Sequence, residues 1–539
     1  MTRNDRSRLG RSSNSRSREC VRRMRSWYFP RRQCRLLRSA TNSLRCKTMR
    51  QIRSLTSINV YSSIITRPDR DWLRSKQTRY RSSCRSGPPR LNRRHSAVWV
   101  ERNLSFQPEP LSLARLVMKF GGTSVADLER IHRVARHVKR EHDAGHQVAV
   151  VVSAMSGKTN ELVGWVNEMP RVVGSDVPGF DAREYDSVVA SGEQVTAGLL
   201  AIALQSMGVD ARSWLGWQIP LRTDHAHGAA RIAEIDGGNI IERMGETHGR
   251  QVAVVAGFQG ISPDNRIATL GRGGSDTSAV ALAAGIEADR CDIYTDVDGV
   301  YTTDPRMAPK AQRLDKVSYE EMLELASLGA KVLQVRSVEL AMAYNVPTFV
   351  RSSFEDPDSI DSSEGATPPG TLICAEDQIV EQQTVTGIAY AKDEAQISLR
   401  RVADKPGIAA AVFGPLADAQ VNVDMIVQNV SEDGSVTDMT FTVPAADLDK
   451  ALSTLEKSHD EIGYEVVQSD PGMVKVSVVG MGMRSHAGVA STAFKALADK
   501  GINIRAITTS EIKISILIDG DYAELAVRTL HSVYGLDKS

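Results

Sequence analysis

At 539 residues the chain is too long for a single hydrophobic core, so two to four domains are expected. Its 67 Lys+Arg and 65 Asp+Glu give a net charge of +2 that describes neither part: residues 1–114 hold 28 basic and 6 acidic residues, the remainder 39 and 59. Four of the six cysteines lie in the basic stretch, and Cys291 and Cys374 stand far apart without Cys/His neighbours, which argues against a disulfide scaffold or a zinc pattern and for a reducing compartment.

Residues 1–112 are rich in Arg and Ser, show no sustained apolar period, and read as a disordered basic tail. An over-extended translation start is the first reading, with a transit peptide and a nucleic-acid-binding arm as alternatives. No apolar run approaches the ~20 residues of a spanning helix, so a soluble cytoplasmic body is expected, without membrane or nucleic acid as partner, and organellar if the tail is a transit peptide.

From residue 115 the pattern becomes regular. A short apolar strand at 115–120 is broken by Gly121-Gly122-Thr123-Ser124, followed by a helical stripe over 125–141 and a continuously apolar strand at 147–153, together a βαβ unit. Further buried strands are expected at 252–256, 291–295 and 346–350, with helices at 187–206, 277–288, 319–326 and 335–344. Lys119, at the end of the first strand, can reach phosphates held by glycine amides, yet neither a P-loop nor a Gly-x-Gly-x-x-Gly fingerprint follows it.

Leu270-Gly-Arg-Gly-Gly-Ser-Asp276 puts three glycines, one cation, one hydroxyl and one carboxylate at a helix start, an anion-site pattern whose plain alternative is a tight turn. In 295–306, Asp296-x-Asp298-Gly resembles a calcium loop, but its twelfth position is Met307 rather than Glu, and Tyr301 and Arg306 suit a nucleotide better. Residues 406–427 and 487–508 align at a constant offset of 81, an internal duplication whose copies each read strand, glycine-led helix, strand, strand, a ferredoxin-like order.

The motifs Val117-Met-Lys-Phe-Gly-Gly-Thr-Ser-Val125, Val152-Ser-Ala-Met-Ser-Gly-Lys-Thr-Asn160, Ala190-Ser-Gly-Glu193, 270–276, 294–306 and Gly329-Ala-Lys-Val-Leu-Gln334 fall in one order, and over 115–539 the chain resembles the amino acid kinase family, within it the aspartate kinases. The resemblance implies an α/β fold: a three-layer amino acid kinase domain with a mostly parallel sheet over 115–375, then two ferredoxin-like α+β ACT domains at 395–463 and 472–539, the second completed by a strand at 384–392. It implies conversion of ATP and L-aspartate to ADP and 4-phospho-L-aspartate, the first step of lysine, threonine and methionine biosynthesis.

The resemblance makes Lys119 and Asp276 catalytic, the carboxylate holding the lysine that neutralises the transferring phosphoryl group. ATP would be held by Lys119, Phe120, Gly121, Gly122, Thr295, Asp296, Tyr301, Arg306, Lys331 and Val332, with Mg²⁺ and no protein side-chain metal ligand. Ser153, Thr159, Glu193, Arg272 and Ser275 would bind aspartate, and Asp404, Gln428 and Asn429 the effector, lysine and/or threonine. It further implies a homodimer or higher oligomer through the ACT pair, and leaves open a short subunit from an internal start. The alternatives are another amino acid kinase, acting on glutamate or acetylglutamate, and a non-catalytic amino-acid sensor.

Overall fold

A computed structural model describes residues 114–172, 180–219, 221–328, 332–359, 369–379, 384–431, 434–484 and 486–538. The basic tail and Gly329, Ala330 and Lys331 lie outside the described residues. In chain order the catalytic half runs β1 (Arg115–Phe120), α1 (Leu128–Asp143), β2 (Gln147–Val152), α2 (Lys158–Val172), α3 (Ala182–Val189), α4 (Ser191–Ser206), β3 (Ala211–Trp214), β4 (Leu221–Thr223), β5 (Ile232–Ile235), α5 (Gly238–Met244), β6 (Val252–Ala256), β7 (Gln259–Ile261), β8 (Ile267–Thr269), α6 (Gly274–Gly285), β9 (Arg290–Thr295), β10 (Lys316–Ser318), α7 (Tyr319–Ser327), α8 (Val335–Tyr344), β11 (Thr348–Ser352) and β12 (Thr371–Cys374).

Eight of these strands form one sheet in the order β10-β12-β11-β9-β1-β2-β6-β3, parallel except where β11 meets β12. Period-two alternation along β1 sends Val117 to one apolar layer, shared with α6 and α8, and Met118 and Phe120 to the other, shared with α1 and α4. Both faces are covered, which is why β2 and β6 read as unbroken Val/Ala runs. A second sheet, β5-β4-β7-β8, carries the chain into the glycine loop and was not anticipated from the residue pattern.

The expected helix at 187–206 is two helices, α3 and α4, meeting at Ala190. Within the 25 residues Ala182–Ser206 an 18-residue window reaches a mean hydropathy of 1.4, enough by length and composition alone to cross a bilayer. The apolar character has a core explanation: Ala197, Leu200, Ala201 and Leu204 pack into the layer behind β1, β2 and β6.

The C-terminal half continues with β13 (Gly387–Ala403), α9 (Ile408–Asp418), β14 (Asp424–Val430), β15 (Val436–Pro444), α10 (Leu448–Lys457), α11 (His459–Ile462), β16 (Val466–Val479), α12 (Val489–Ala498), β17 (Ala506–Thr509), β18 (Lys513–Asp519) and α13 (Ala523–Val533). Six strands make one sheet, β14-β15-β13-β16-β18-β17. Gly407 and Gly488, at φ of 92° and 97°, turn the chain into α9 and α12 at equivalent points of the duplication. The long β13 and β16 run antiparallel through both repeats, and residues 387–391 pair with Lys475–Val479.

Glu321 in α7 joins the two halves. Its Oε2 accepts the Ser318 amide and hydroxyl at 3.1 and 3.0 Å, closing a capping box, and its Oε1 accepts the Thr386 hydroxyl at 2.6 Å and the Met481 amide at 2.9 Å. Glu321→Ala leaves three or more buried donors unpaired and should cost about 3 kcal/mol. Urea unfolding followed by fluorescence would show this as an earlier transition; an unchanged midpoint would mean that the junction is held by other contacts.

Candidate functional site

The carboxyl ends of β1, β2, β6 and β9 and the amino end of α6 meet at one place, where open parallel sheets tend to bind ligands. Lys119 emerges there on the α6 side of the sheet, buried, with Nζ 2.5 Å from Asp276 Oδ1. Asp276 occupies the first turn of α6, where a carboxylate also meets the positive end of the helix. The loop feeding α6 requires glycine: Gly271 and Gly273 sit at φ of 79° and 74°, and a Cβ on Gly273 would fall 1.8 Å from Gln334 Cγ.

Contacts extend from this pair to the other expected residues. A Cβ on Gly121 would lie 3.4 Å from Lys119 Nζ, and one on Gly122 3.0 Å from the Ala154 carbonyl oxygen. Glu193, in the first turn of α4, accepts the Ala154 amide at 3.1 Å on Oε1. Its Oε2 is buried without a partner, and loss of water pushes the carboxyl up to about 7, against the pull of the Ala154 amide. Ser275 is buried beside Gly257, whose added Cβ would lie 3.1 Å from Ser275 Cβ, while Ser153 and Thr159 are half-buried. Arg272 projects into solvent from between the two positive-φ glycines. A buried acid with one free oxygen beside a lysine-carboxylate pair can hold an ammonium group next to an anion.

Several expected contacts are arranged differently. The Phe120 ring is stacked on Tyr294 at 4.6 Å inside the apolar layer, so it does not face the site. The Gly121 amide donates to the Tyr294 carbonyl at 3.3 Å, so the sheet takes one of the two amides expected to cradle phosphate. Tyr301 donates its hydroxyl to Asp298 at 3.0 Å. Arg306 forks onto Asp304, its side chain 90% exposed, and Asp304 also accepts the Tyr390 hydroxyl at 3.0 Å. The Thr295 hydroxyl donates to exposed Asp296 at 3.1 Å, Val332 is half-buried, and Lys331 lies outside the described residues. Asp404, Gln428 and Asn429 are exposed in the distant ACT sheet, on the approach to α9 and on edge strand β14. Nothing in the residue pattern singles out Asp186, Thr269 or Gln259, buried polar groups beneath the glycine loop, or the half-buried His227 that meets Asp186; an Asp on the inward face of α3 is the one local hint.

The chain matches the model of the amino acid kinase family over residues 114–352 and ACT domain models over 396–460 and 476–534. It is 52% identical to an aspartokinase of Pseudomonas aeruginosa over 427 residues, 79% of this chain and 98% of that protein. An aspartokinase of Corynebacterium glutamicum is 46% identical over 429 residues, 79% and 97% of the two chains. Among solved structures it is similar to E. coli aspartokinase III in complex with aspartate and ADP (R-state), with 28% identity, a TM-score of 0.60 and coverage of 78% of this chain and 99% of that one. The chain belongs to the amino acid kinase family. Within it, the chain belongs with the aspartokinases, whose catalytic unit is followed here by two ACT domains.

The raised Glu193 carboxyl has a measurable consequence. Between its ordinary value of 4.5 and about 7 the folded protein keeps a proton that the unfolded chain has released. The stabilisation is therefore complete below the ordinary value and lost as pH rises through the folded one. Glu193→Gln should raise the unfolding temperature of ligand-free protein at pH 8 and leave it unchanged at pH 4. Calorimetry showing the same difference at both pH values would mean that the carboxyl is not held up by burial.

Proposed function

We propose that this transferase moves the γ-phosphoryl group of ATP onto the side-chain carboxylate of L-aspartate, with the ends of β1, β2 and α6 as the reaction centre. The buried Glu193 carboxyl with its unpartnered oxygen, linked to Lys119 through Ala154, Gly122 and Gly121, carries this reading. Glu193 would take the α-ammonium group of aspartate and Arg272 a carboxylate, with Ser153, Thr159 and Ser275 as polar neighbours. A carboxylate nucleophile is already ionised at neutral pH, so alignment and charge neutralisation suffice. Lys119, held by Asp276, would neutralise the transferring phosphoryl group, helped by Gly122 and the amino end of α6. Mg²⁺ on the phosphate oxygens of ATP would supply further neutralisation. Thr295, Asp296, Tyr301, Arg306, Lys331 and Val332 would hold the nucleotide, Arg306 after leaving Asp304.

In E. coli aspartokinase III a lysine complex with aspartate is described as the T-state. Here lysine and/or threonine would bind at Asp404, Gln428 and Asn429. The carboxylate of such an effector would meet the glycine-led start of α9 and its ammonium Asp404. The exposed apolar residues Ile426 and Val430 on β14 suit a homodimer through the ACT sheet, in a cytoplasmic enzyme.

ADP release measured with L-aspartate and L-glutamate offered separately tests the substrate; activity on glutamate alone would contradict it. Arg272→Ala should raise KM for aspartate about tenfold or more while KM for ATP stays within about threefold, the loss of a charge-assisted contact to one substrate only. Equal loss of both would return the glycine loop to a phosphate cradle. Asp404→Ala should weaken inhibition by lysine or threonine with little change in uninhibited kcat, and unchanged inhibition by every end-product amino acid would remove the effector assignment.

A further inference from the structure

Beneath the Arg272 loop lies a buried polar hub with no task in the reaction as described. Asp186, on the inner face of α3, has no exposed surface. Its carboxylate lies 2.6 Å from His227 Nδ1, accepts the Thr269 hydroxyl at 2.5 Å, and accepts the Gly228 amide at 3.1 and 3.2 Å. A carboxylate removed from water this completely needs donors for its lone pairs, and here they come from two separate chain segments. Because the carboxylate can only accept, His227 carries its proton on Nδ1.

The segments joined are those that lead to both substrate arms. Thr269 ends β8 three residues before Arg272. The 227–230 turn leans on the same loop: a Cβ on Gly271 would lie 3.4 Å from the Gly228 carbonyl oxygen, and the Ala230 amide donates to the Thr269 carbonyl at 2.9 Å. Arg336 clamps the block from below, donating to the Leu270 and Ala230 carbonyls at 2.9 and 2.8 Å. On the other side, the Ala190 amide closes on the Asp186 carbonyl at 3.0 Å where α3 gives way to α4 and its Glu193.

We propose that Asp186, His227 and Thr269 are positioning residues that set the separation between the Arg272 guanidinium and the Glu193 carboxylate, and with it the length of dicarboxylic amino acid the site accepts. The proposal rests on the assignment of Arg272 and Glu193 to the substrate. The bond between the Asp186 carboxylate and the Thr269 hydroxyl is fully buried and cannot relax its spacing by exchanging a partner for water, so an acceptor one methylene longer is misaligned for in-line transfer.

Thr269→Val removes the hydroxyl at nearly constant volume, and Thr269→Ser keeps it. In the Val variant KM for L-aspartate should rise roughly fivefold, the size of one lost hydrogen bond, with KM for ATP within about twofold of the parent. The ratio of kcat/KM for L-glutamate over L-aspartate should rise as well, and the Ser variant should restore both values. Asp186→Asn should shift the same quantities in the same direction; if it does not fold, the Thr269 pair decides. Val and Ser variants that behave alike, equal changes in both KM values, or a lower unfolding temperature with unchanged KM would each overturn the proposal. Arg272→Ala measured alongside separates the two levels. Selective loss of aspartate binding there, with none in Thr269→Val, overturns the positioning role alone; loss of both substrates equally overturns the substrate assignment and the positioning role with it.

Discussion

The ion pair between Lys119 and Asp276 constrains how the catalytic half is built. An ammonium on the central strand of a sheet covered on both faces is tolerable only beside a compensating carboxylate, because removing a charge from water without one costs several kcal/mol. Asp276 is delivered by a helix that crosses the strand ends, and Gly274–Ala283 of that helix are buried on every side. That explains its composition, small residues throughout its first turns and apolar ones from Ala279, where a surface helix would alternate. The same placement forces the preceding loop to turn within four residues, which Gly271 and Gly273 achieve by adopting positive φ. Arg272 is thrown outward between them, so the turn that serves the ion pair also presents a guanidinium.

The segment after β9 is in turn bonded to the ACT half of the chain. The Thr302 carbonyl accepts the Ile388 amide at 2.7 Å, and its hydroxyl lies 2.9 Å from His531 Nε2 in α13. Arg528 donates to the Met307 carbonyl at 2.7 Å, and Met307 is buried in the apolar cluster of the second repeat. Farther along the sheet, Lys475 on β16 holds Glu394 of β13 and Asp424 at the head of β14 at 2.6 Å each, tying the edge strand with Gln428 and Asn429 to the central pair. A shift of that edge strand must break or carry these bonds, so a packed route exists from the exposed ACT edge to the segment after β9.

Much of this was legible in the residues because it is local. Apolar runs at β1, β2, β6 and β9, the Gly-Gly breaks, the 81-residue repeat and the glycine-led helices each follow from the period or turn chemistry of a few neighbours. What escaped depends on distant partners. The direction of the Phe120 ring is set by Tyr294 on the adjoining strand, and the engagement of Arg306 by Asp304 and Tyr390. The break between α3 and α4 carries no proline or glycine signal at Ala190. The length of β13 is hidden because its two ends serve different repeats, and the Asp186 hub joins positions up to 83 residues apart. The candidate site residues were named from motifs, whereas the buried contacts between distant segments were not.

The dependence of Lys119 on Asp276 is measured by single-turnover phosphoryl transfer in Asp276→Asn, with ATP and L-aspartate both saturating. The transfer step should fall about a hundredfold while the Kd for ATP stays within about threefold, because the lysine loses its alignment rather than its charge. A transfer rate within about twofold of the parent would show that Lys119 acts without Asp276, and would contradict the ion pair as the organising feature of the site.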